Sequence, residues 1–345
     1  MISRITFKNF RNFEDFSLHF DEQNLIIGKN GQWKSNILEW LSLFGNPLLE
    51  IPFPILAKEW SDFFHIWVEF DSGKDISLFY DTKTEKKVFQ IGKKATTKKK
   101  ILELYPKVIS FHPLSMNMLY LGPSERRLFL DEILAMSDSQ YSSLLSIYKK
   151  VLSSRNKLLK NISEGKSEES ELDFWDDKFV SLATEIYKRR EDLRNFFEKN
   201  IGKLISSFTG KIQKLQFIPL VKIERNAVRQ SLEEYLKKNR KRDILIRKTH
   251  IWPHIDDFDI HLDTHKPIAT FASRGEVKSI LLGLKFLSIE YIESKICEKP
   301  IFIIDDLLSE LDTIHRELLL TKFQGYQIFL SSIEDIDFQG NKIYI

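Results

Sequence analysis

The sequence has very little cysteine and no long hydrophobic run, and both absences exclude classes of protein. A single cysteine, Cys297, among 345 residues excludes an internal disulfide and a thiolate metal cluster, and it favours a reducing compartment. It ends an apolar helical pattern, so we expect it to be packed inside. The first residues of the sequence carry positive charge at Arg4, Lys8 and Arg11. No stretch of the sequence approaches the ~20 consecutive apolar residues that a membrane-spanning helix needs. We therefore expect no signal peptide, no transmembrane helix and a cytoplasmic location.

Charge is nearly balanced overall but clustered locally. The 52 basic and 49 acidic residues give a net charge of +3, which is too small to establish nucleic-acid binding by itself. Two basic runs stand out, one at Lys93–Lys94 with Lys98–Lys100 and one from Lys237 to Arg242. Each run could contact phosphates or could be a solvated surface segment, and the sequence leaves both interpretations open.

A short apolar run near the C-terminus ends in two adjacent carboxylates. Residues Ile301 to Ile304 are β-branched or aromatic, which predicts a buried central strand of a parallel sheet. Ligands of open parallel sheets bind at the carboxyl ends of the strands, where Asp305 and Asp306 would lie. Buried carboxylates need a charged partner. Magnesium on a nucleotide fits this requirement, and a structural ion pair is the alternative.

A strand, a glycine-containing loop and a helix follow one another near the N-terminus. The segment N-L-I-I at 24–27 leads into G-K-N-G-Q-W-K-S at positions 28–35, and apolar residues then recur at helical spacing. In phosphate-binding loops of the form G-x-x-x-x-G-K-[ST], backbone N–H groups surround a phosphate, the lysine reaches the terminal phosphates and the hydroxyl binds magnesium. The candidate nucleotide-binding residues are Gly28, Lys29, Asn30, Gly31, Gln32, Trp33, Lys34, Ser35 and Asn36.

One position departs from this loop pattern. Trp33 stands where the pattern has its second glycine, and glycine is used where backbone must approach a ligand closely. Two alternatives follow: a working site with an adjusted loop, or a site whose nucleotide binding is damaged or lost.

A third segment precedes a long predicted helix. Ser273, Arg274 and Gly275 come just before apolar residues at helical spacing, and Ser273 is the predicted N-cap. Free N–H groups and the partial positive charge of a helix N-terminus suit a phosphate, although an ordinary capped helix is the alternative. Because it lies shortly before the strand at 301–304, the segment resembles the signature of ABC-type ATPases.

The remaining pattern predicts an α/β fold interrupted by helices. Segments 2–20, 63–70 and 76–80 alternate as antiparallel strands do. From Ser124, a predicted helix cap, the apolar spacing becomes helical. Two long helices, the second at about 172–197, are separated by a polar turn near Gly165.

Together these motifs resemble the RecF family of recombination mediators, which is related to the SMC-type chromosome ATPases. The resemblance covers nearly the whole chain and includes I-T-F-K-N-F-R-N-F at 5–13, G-P-S-E-R-R at 122–127, the pair Arg155-Asn156, and the strand and D-loop at 305–312. It implies an α/β fold: an ABC/SMC-type P-loop ATPase head of residues 1–123 and 249–345. Residues 124–248 would form an inserted, mainly α-helical lobe with a short antiparallel helical hairpin.

The resemblance also implies a mechanism. Lys34 and Asp306 would be catalytic: the lysine would neutralise phosphate charge, and the aspartate would orient or deprotonate the attacking water. Ser35 and Asp305 would hold Mg²⁺. In an ATP-dependent homodimer, Ser273, Arg274 and Gly275 of one subunit would cover the ATP held by the other. An aspartate at 306, one methylene shorter than the glutamate of many ABC enzymes, implies slow hydrolysis.

The partners implied are DNA with single-stranded, gapped or junction structure and other recombination mediator proteins, without a membrane partner and with nucleoid association. Glu276 stands where the family prefers glutamine and would put negative charge near a bound triphosphate. Two alternatives stay open: a hydrolysis-deficient DNA-binding or structural homologue because of Trp33, and a defence or mobile-element ATPase on the same head.

Overall fold

The chain divides into two compact units. The computed structural model describes residues 1–29, 33–49, 51–112, 115, 117–209, 216–219, 227–251, 253–254, 257–261, 267–305, 321 and 323–345. One unit comprises Met1–Ser115 with Ser288–Ile345, and the other comprises Met116–Leu287. The division into head and lobe that the resemblance implies, with boundaries after residues 123 and 248, stays a prediction.

The described residues form strands mainly near the two ends of the chain and helices mainly in its middle. The strands are β1 (Ile2–Phe10), β2 (Phe13–His19), β3 (Gln23–Ile27), β4 (Phe63–Phe70), β5 (Asp75–Asp81), β6 (Lys87–Ile91), β7 (Lys94–Thr96), β8 (Val108–Phe111), β9 (Gln216–Pro219), β10 (Phe258–His261), β11 (Ile301–Ile304), β12 (Ile328–Ser332) and β13 (Asn341–Tyr344). The helices are α1 (Lys34–Gly45), α2 (Lys98–Leu104), α3 (Asn117–Tyr120), α4 (Pro123–Ser137), α5 (Tyr141–Ser163), α6 (Leu172–Thr209), α7 (Val228–Ile246), α8 (Ile268–Phe271) and α9 (Arg274–Ile296).

Two sheets form the first unit. The antiparallel sheet has the order β2-β1-β4-β5-β6-β7, which confirms the antiparallel strands predicted from alternation. The second sheet has the order β13-β3-β12-β11-β8, and its strand pairs are all parallel. Strand β11 lies between β12 and β8 with its four residues buried, as the apolar run at 301–304 predicts.

Helix α1 is anchored in the hydrophobic core of this unit. Its apolar side belongs to the same buried cluster as β1 and β4 residues. Trp40 of α1 is 1% exposed and packs edge-on against Phe7 of β1, with ring centroids 5.8 Å apart. A fully buried large apolar side chain contributes about 1.5–3 kcal/mol, so the N-terminus of α1 is held in a fixed place by several such contacts.

The second unit is mainly helical, and α5, α6 and α7 pack against one another. Helix α6 continues to Thr209, beyond the predicted end near residue 197. The predicted cap of α4 is wrong: Gly122 occupies the N-cap and Pro123 the first helical position. Proline suits that position because its missing N–H would have no partner there.

A buried arginine ties these three helices together. Arg155 of α5 is fully buried and ion-pairs with Asp176 of α6 at 2.7 Å and with Asp243 of α7 at 3.0 Å. It also donates to Thr249 Oγ1 at 2.6 Å. Removing one member of such a buried network leaves an uncompensated charge, at a cost of about 3–5 kcal/mol.

Three further expectations from the sequence are corrected or refined. Cys297 is exposed and has a positive φ of 56° just after α9, so it ends the helix and is not a core residue. Of the two basic runs, Lys237 to Arg242 lies inside α7, while Lys98–Lys100 open α2. Within the described part of the chain, no helix combines the length and apolar character that crossing a bilayer requires.

Candidate functional site

The carboxyl edge of the parallel sheet gathers residues that are far apart in the sequence. Gly28 follows β3, Asp305 follows β11, and β12, which lies between these strands, ends in Ser331 and Ser332. The Gly28 amide donates to the Ser332 carbonyl at 3.2 Å, and the Asp305 amide donates to the Phe111 carbonyl at 2.9 Å. Strand pairing therefore brings the start of the phosphate loop and the first predicted acidic residue to one edge.

The predicted loop lysine is folded back towards the start of its own loop. Lys34 is the first residue of α1, is 2% exposed, and donates from Nζ to the Gly28 carbonyl at 2.5 Å. A buried ammonium is stable only with polar partners, and Gly28 supplies one. Lys29 is exposed. The predicted site residues Asn30, Gly31, Gln32 and Asp306 lie outside the described residues.

A cavity of about 340 Å³ opens beside the N-terminus of α1. Its lining residues come from α1, β8, β11 and the segments that follow them: Ser35, Asn36, Leu38, Glu39, Ser42, Leu49, Ser110, His112, Ile303 and Asp305. The two predicted magnesium ligands, Ser35 and Asp305, thus line one cavity. Their hydroxyl and carboxylate oxygens are the donor type that Mg²⁺ prefers.

The oxygen donors fit a cation that is shared with a ligand. The described residues contain no group of three or more His, Cys, Asp or Glu that could hold a metal. Mg²⁺ usually keeps waters and is bound by one or two protein groups plus substrate phosphates. Two protein oxygens beside a phosphate loop match that arrangement.

Ser331 is a site residue that sequence reasoning missed. Its hydroxyl donates to Asp305 Oδ1 at 2.6 Å, a short distance typical of hydrogen bonds to ionised carboxylates. Ser332, the next residue, instead donates to the Glu334 carbonyl at 2.7 Å. The available signal was a pair of hydroxyls at the end of the apolar run 328–330, at the sheet edge that already carried Asp305.

The indole of Trp33 has a packing partner on the β1–β2 hairpin. Trp33 is 38% exposed and lies edge-on to Phe13, with ring centroids 4.9 Å apart. Phe13 in turn stacks on Phe7 and Phe16. The indole thus extends a row of aromatic rings, and this contact gives a structural reason for tryptophan at the position.

The predicted signature segment lies in the second unit and is capped reciprocally. The Glu276 amide donates to Ser273 Oγ at 3.3 Å, and both the Ser273 amide and hydroxyl donate to Glu276 Oε2 at 2.9 Å. This is a capping box, and it confirms Ser273 as the N-cap of α9. Gly275 is exposed, and the side chain of Arg274 is outside the described set. Glutamate at 276 therefore has a structural role, which glutamine could also fill.

Comparison with known proteins identifies related chains over nearly the full length. Residues 1–337 match the family described as AAA ATPase domain. The DNA replication and repair protein RecF of Thermoanaerobacter sp. (strain X514) is 30% identical over 344 residues, covering 96% of this chain and 94% of the relative.

Solved structures of related proteins have the same fold as this chain. The recombination mediator protein RecF in the RecFOR pathway, solved as RecF-ATPrS, superimposes with a TM-score of 0.89 at 29% identity, covering 100% of this chain and 96% of that one. The RecF-ATP structure gives 0.87 at 29% identity, covering 99% and 95%. The Smc head domain of Pyrococcus furiosus, at 14% identity with a TM-score of 0.55, covers 97% and 90% and shares the fold alone. The chain has the ABC/SMC-type P-loop ATPase fold.

Proposed function

Because this chain belongs to the RecF family of DNA replication and repair proteins, we propose that it binds ATP with Mg²⁺ and uses the nucleotide to gate a homodimeric clamp on DNA. The observation that carries the proposal is the cavity lined by both Ser35 and Asp305, with Lys34 alongside. Solved relatives named RecF-ATPrS and RecF-ATP support the choice of nucleotide.

The loop residues would act by placing charge. The Lys34 ammonium now lies on the Gly28 carbonyl, and it would exchange that partner for the terminal phosphates, whose charge it neutralises. Ser35 and Asp305 would hold the magnesium ion, which supplies Lewis-acid stabilisation of phosphate charge. Asp306 is proposed to orient or deprotonate the attacking water, with slow turnover.

The signature segment would complete the site in trans. Ser273 and Gly275 of one subunit are proposed to donate to the γ-phosphate held by the other subunit. The Ser273 hydroxyl is at present bonded to Glu276, so binding would require it to change partner. ATP would then act as a dimerisation switch in which hydrolysis releases the clamp. Gapped or junction DNA and other recombination mediators are the proposed partners, with nucleoid association as a consequence.

Titration with a fluorescent ATP analogue tests the nucleotide site. Wild-type protein should bind it in a Mg²⁺-dependent manner, and Lys34→Ala should abolish the binding. Lys93→Ala, which removes an exposed lysine of the same unit, is the matched control and should bind as wild type does. Equal binding by both variants would contradict the assignment of Lys34, and absence of binding to the wild type would contradict ATP as the ligand.

A second candidate, favoured by Trp33, is a family member that binds DNA without hydrolysing ATP. An indole replaces the glycine that allows close approach of backbone to phosphate, and it is committed to a contact with Phe13. Phosphate release under single-turnover conditions separates the two candidates. The second candidate is favoured if the wild-type protein binds the nucleotide but releases no phosphate, and if Trp33→Gly restores phosphate release.

A further inference from the structure

The outward face of α7 carries a row of positive charge. Lys237, Lys238, Lys241 and Arg242 are exposed, and at 100° per residue they fall on one side of the helix because they are spaced by one, four and five positions. The opposite side carries the buried residues Leu232, Leu236 and Asp243. The four side chains, named here the α7 stripe, therefore project away from the helices on which α7 packs.

Among the described residues the α7 stripe has no ion-pair partner, whereas other cations of the same helix are paired. Arg240 in the same helix bonds Asp173 at 2.5 Å and Asp176 at 2.8 Å, and Arg229 near its start bonds Asp177 at 2.6 Å. Within the described residues, none of the four stripe side chains has an ion pair or hydrogen-bond partner. Aspartates of α6 thus neutralise Arg229 and Arg240, and the positive charge of the α7 stripe is left without a counter-charge among the described residues.

An exposed leucine near the end of α7 shows that this side of the helix faces solvent. Leu245 lies on the same side of the helix, one turn beyond Arg242, and is 81% exposed. Beyond the helix, Lys248 is also exposed. At the other end, on the same side of the helix, Glu234 accepts a hydrogen bond from the neutral amide of Gln230 at 2.8 Å, and among the described residues it forms no ion pair with the stripe.

The dimensions of the stripe suit a polyphosphate backbone. From Lys237 to Arg242 the helix rises by about 7.5 Å at 1.5 Å per residue. Duplex DNA presents a phosphate about every 1.7 Å of axis when both strands are counted, so about four phosphates lie within that length. The four basic side chains therefore match the local density of phosphate charge on the duplex.

The other basic run has a simpler explanation. Lys94 opens β7, the edge strand of the antiparallel sheet, Lys93 precedes it, and Lys99 and Lys100 follow in α2. A lysine on an edge strand prevents pairing with a second sheet. Lys94 thus has a structural reason that needs no ligand, whereas α7 has no open edge to protect.

We infer that the α7 stripe is a contact surface for the phosphate backbone of duplex DNA. The inference rests on the proposed DNA-binding function and locates part of its interface. Contacts of this kind fix the position of DNA without reading sequence. They also release counterions, so they leave a measurable signature in the salt dependence of binding.

Matched variants test the inference. The first, Lys237→Gln/Lys238→Gln/Lys241→Gln/Arg242→Gln, removes the stripe, and glutamine preserves helix propensity. The second, Lys93→Gln/Lys94→Gln/Lys99→Gln/Lys100→Gln, removes the same net charge from the other basic run. Binding of each protein to a fluorescent duplex with a single-stranded gap is measured between about 50 and 200 mM salt, with a saturating ATP analogue. Thermal unfolding confirms that both variants fold.

The expected result is a difference in slope. Log K falls as log salt rises, and each lost phosphate contact reduces the steepness of that fall by about 0.9. The stripe variant should therefore show a slope shallower than wild type by up to about 3.6. The variant at Lys93, Lys94, Lys99 and Lys100, the edge-strand variant, should change the slope much less. Equal slopes for the two variants, or a larger loss in the edge-strand variant, would overturn the inference while leaving DNA binding intact. A wild-type protein that binds no DNA would overturn the proposed DNA function itself and the inference with it.

Discussion

Ser331→Ala should weaken magnesium-dependent nucleotide binding without unfolding the protein. The Ser331 hydroxyl donates to Asp305 Oδ1 at 2.6 Å, and Asp305 lines the cavity with Ser35. This hydrogen bond holds the carboxylate in one rotamer. Alanine removes the donor but leaves the strand and its backbone pairing in place.

The magnitude follows from the kind of bond. A hydrogen bond to a charged group contributes about 1.5–3 kcal/mol, which corresponds to roughly 10- to 100-fold in an equilibrium constant. Loss of a group that orients a metal ligand has an effect of the same size, about 10- to 100-fold in metal affinity. The Mg²⁺ concentration that gives half-maximal binding of a fluorescent ATP analogue should rise by that factor.

A neighbouring serine provides the control. Ser332→Ala removes a hydroxyl that donates to the Glu334 carbonyl, so it should leave the Mg²⁺ dependence unchanged. Ser331→Thr keeps the hydroxyl and should restore most of the wild-type dependence. If Ser331→Ala and Ser332→Ala show the same Mg²⁺ titration, then Ser331 does not position a metal ligand and the assignment of Asp305 loses its support.

Three further outcomes are expected. Trp33→Gly should tighten ATP-analogue binding while lowering the free energy of unfolding by at least about 1 kcal/mol, because the aromatic contact with Phe13 and the burial of the indole are both lost; an unchanged affinity would show that the indole does not obstruct the loop. Glu276→Gln keeps the capping box with Ser273, so it should increase ATP-dependent dimerisation in sedimentation velocity while changing stability by less than about 1 kcal/mol. Burial, and secondarily a nearby lysine, lowers the pKa of His65 from 6.5 to about 4; the unfolded chain therefore takes up the proton first, and stability falls as pH drops below 6.5. Urea unfolding at about pH 7.5 and pH 5 should show a loss of about 1 kcal/mol from this group, less than the full shift implies because the half-buried ring is partly screened by water. His65→Gln should remove that loss, and an equal loss in the variant would contradict the cause.

The local elements that carry the site could be predicted from the sequence. The strand at 301–304 and the strand–loop–helix unit at 24–45 follow from short-range apolar spacing, which the local backbone obeys in any context. The cap at Ser273 likewise follows from residues three positions apart. The cap of α4 was missed because proline at the first helical position outweighs a serine one residue later.

What a tryptophan at position 33 packs against could not be predicted. Its partner, Phe13, belongs to a hairpin 20 residues away, and nothing local to the loop points to it. The same holds for Cys297, whose apolar neighbours suggest burial, although the helix ends at that residue and leaves the side chain exposed.

The sequence by itself determined the elements, the residue types of the site and the family. Periodicity, capping and motif spacing are short-range properties that one chain displays directly. Only the tertiary structure decided which of these residues meet, because the pairing of β3, β12 and β11 places Gly28, Ser331 and Asp305 at one sheet edge. Which charges remain unpaired was also decided there, since Arg240 finds two aspartates on α6 while Lys241 and Arg242, its neighbours in sequence, face solvent. Pairing depends on distances across the fold, and a linear pattern of charge does not contain them.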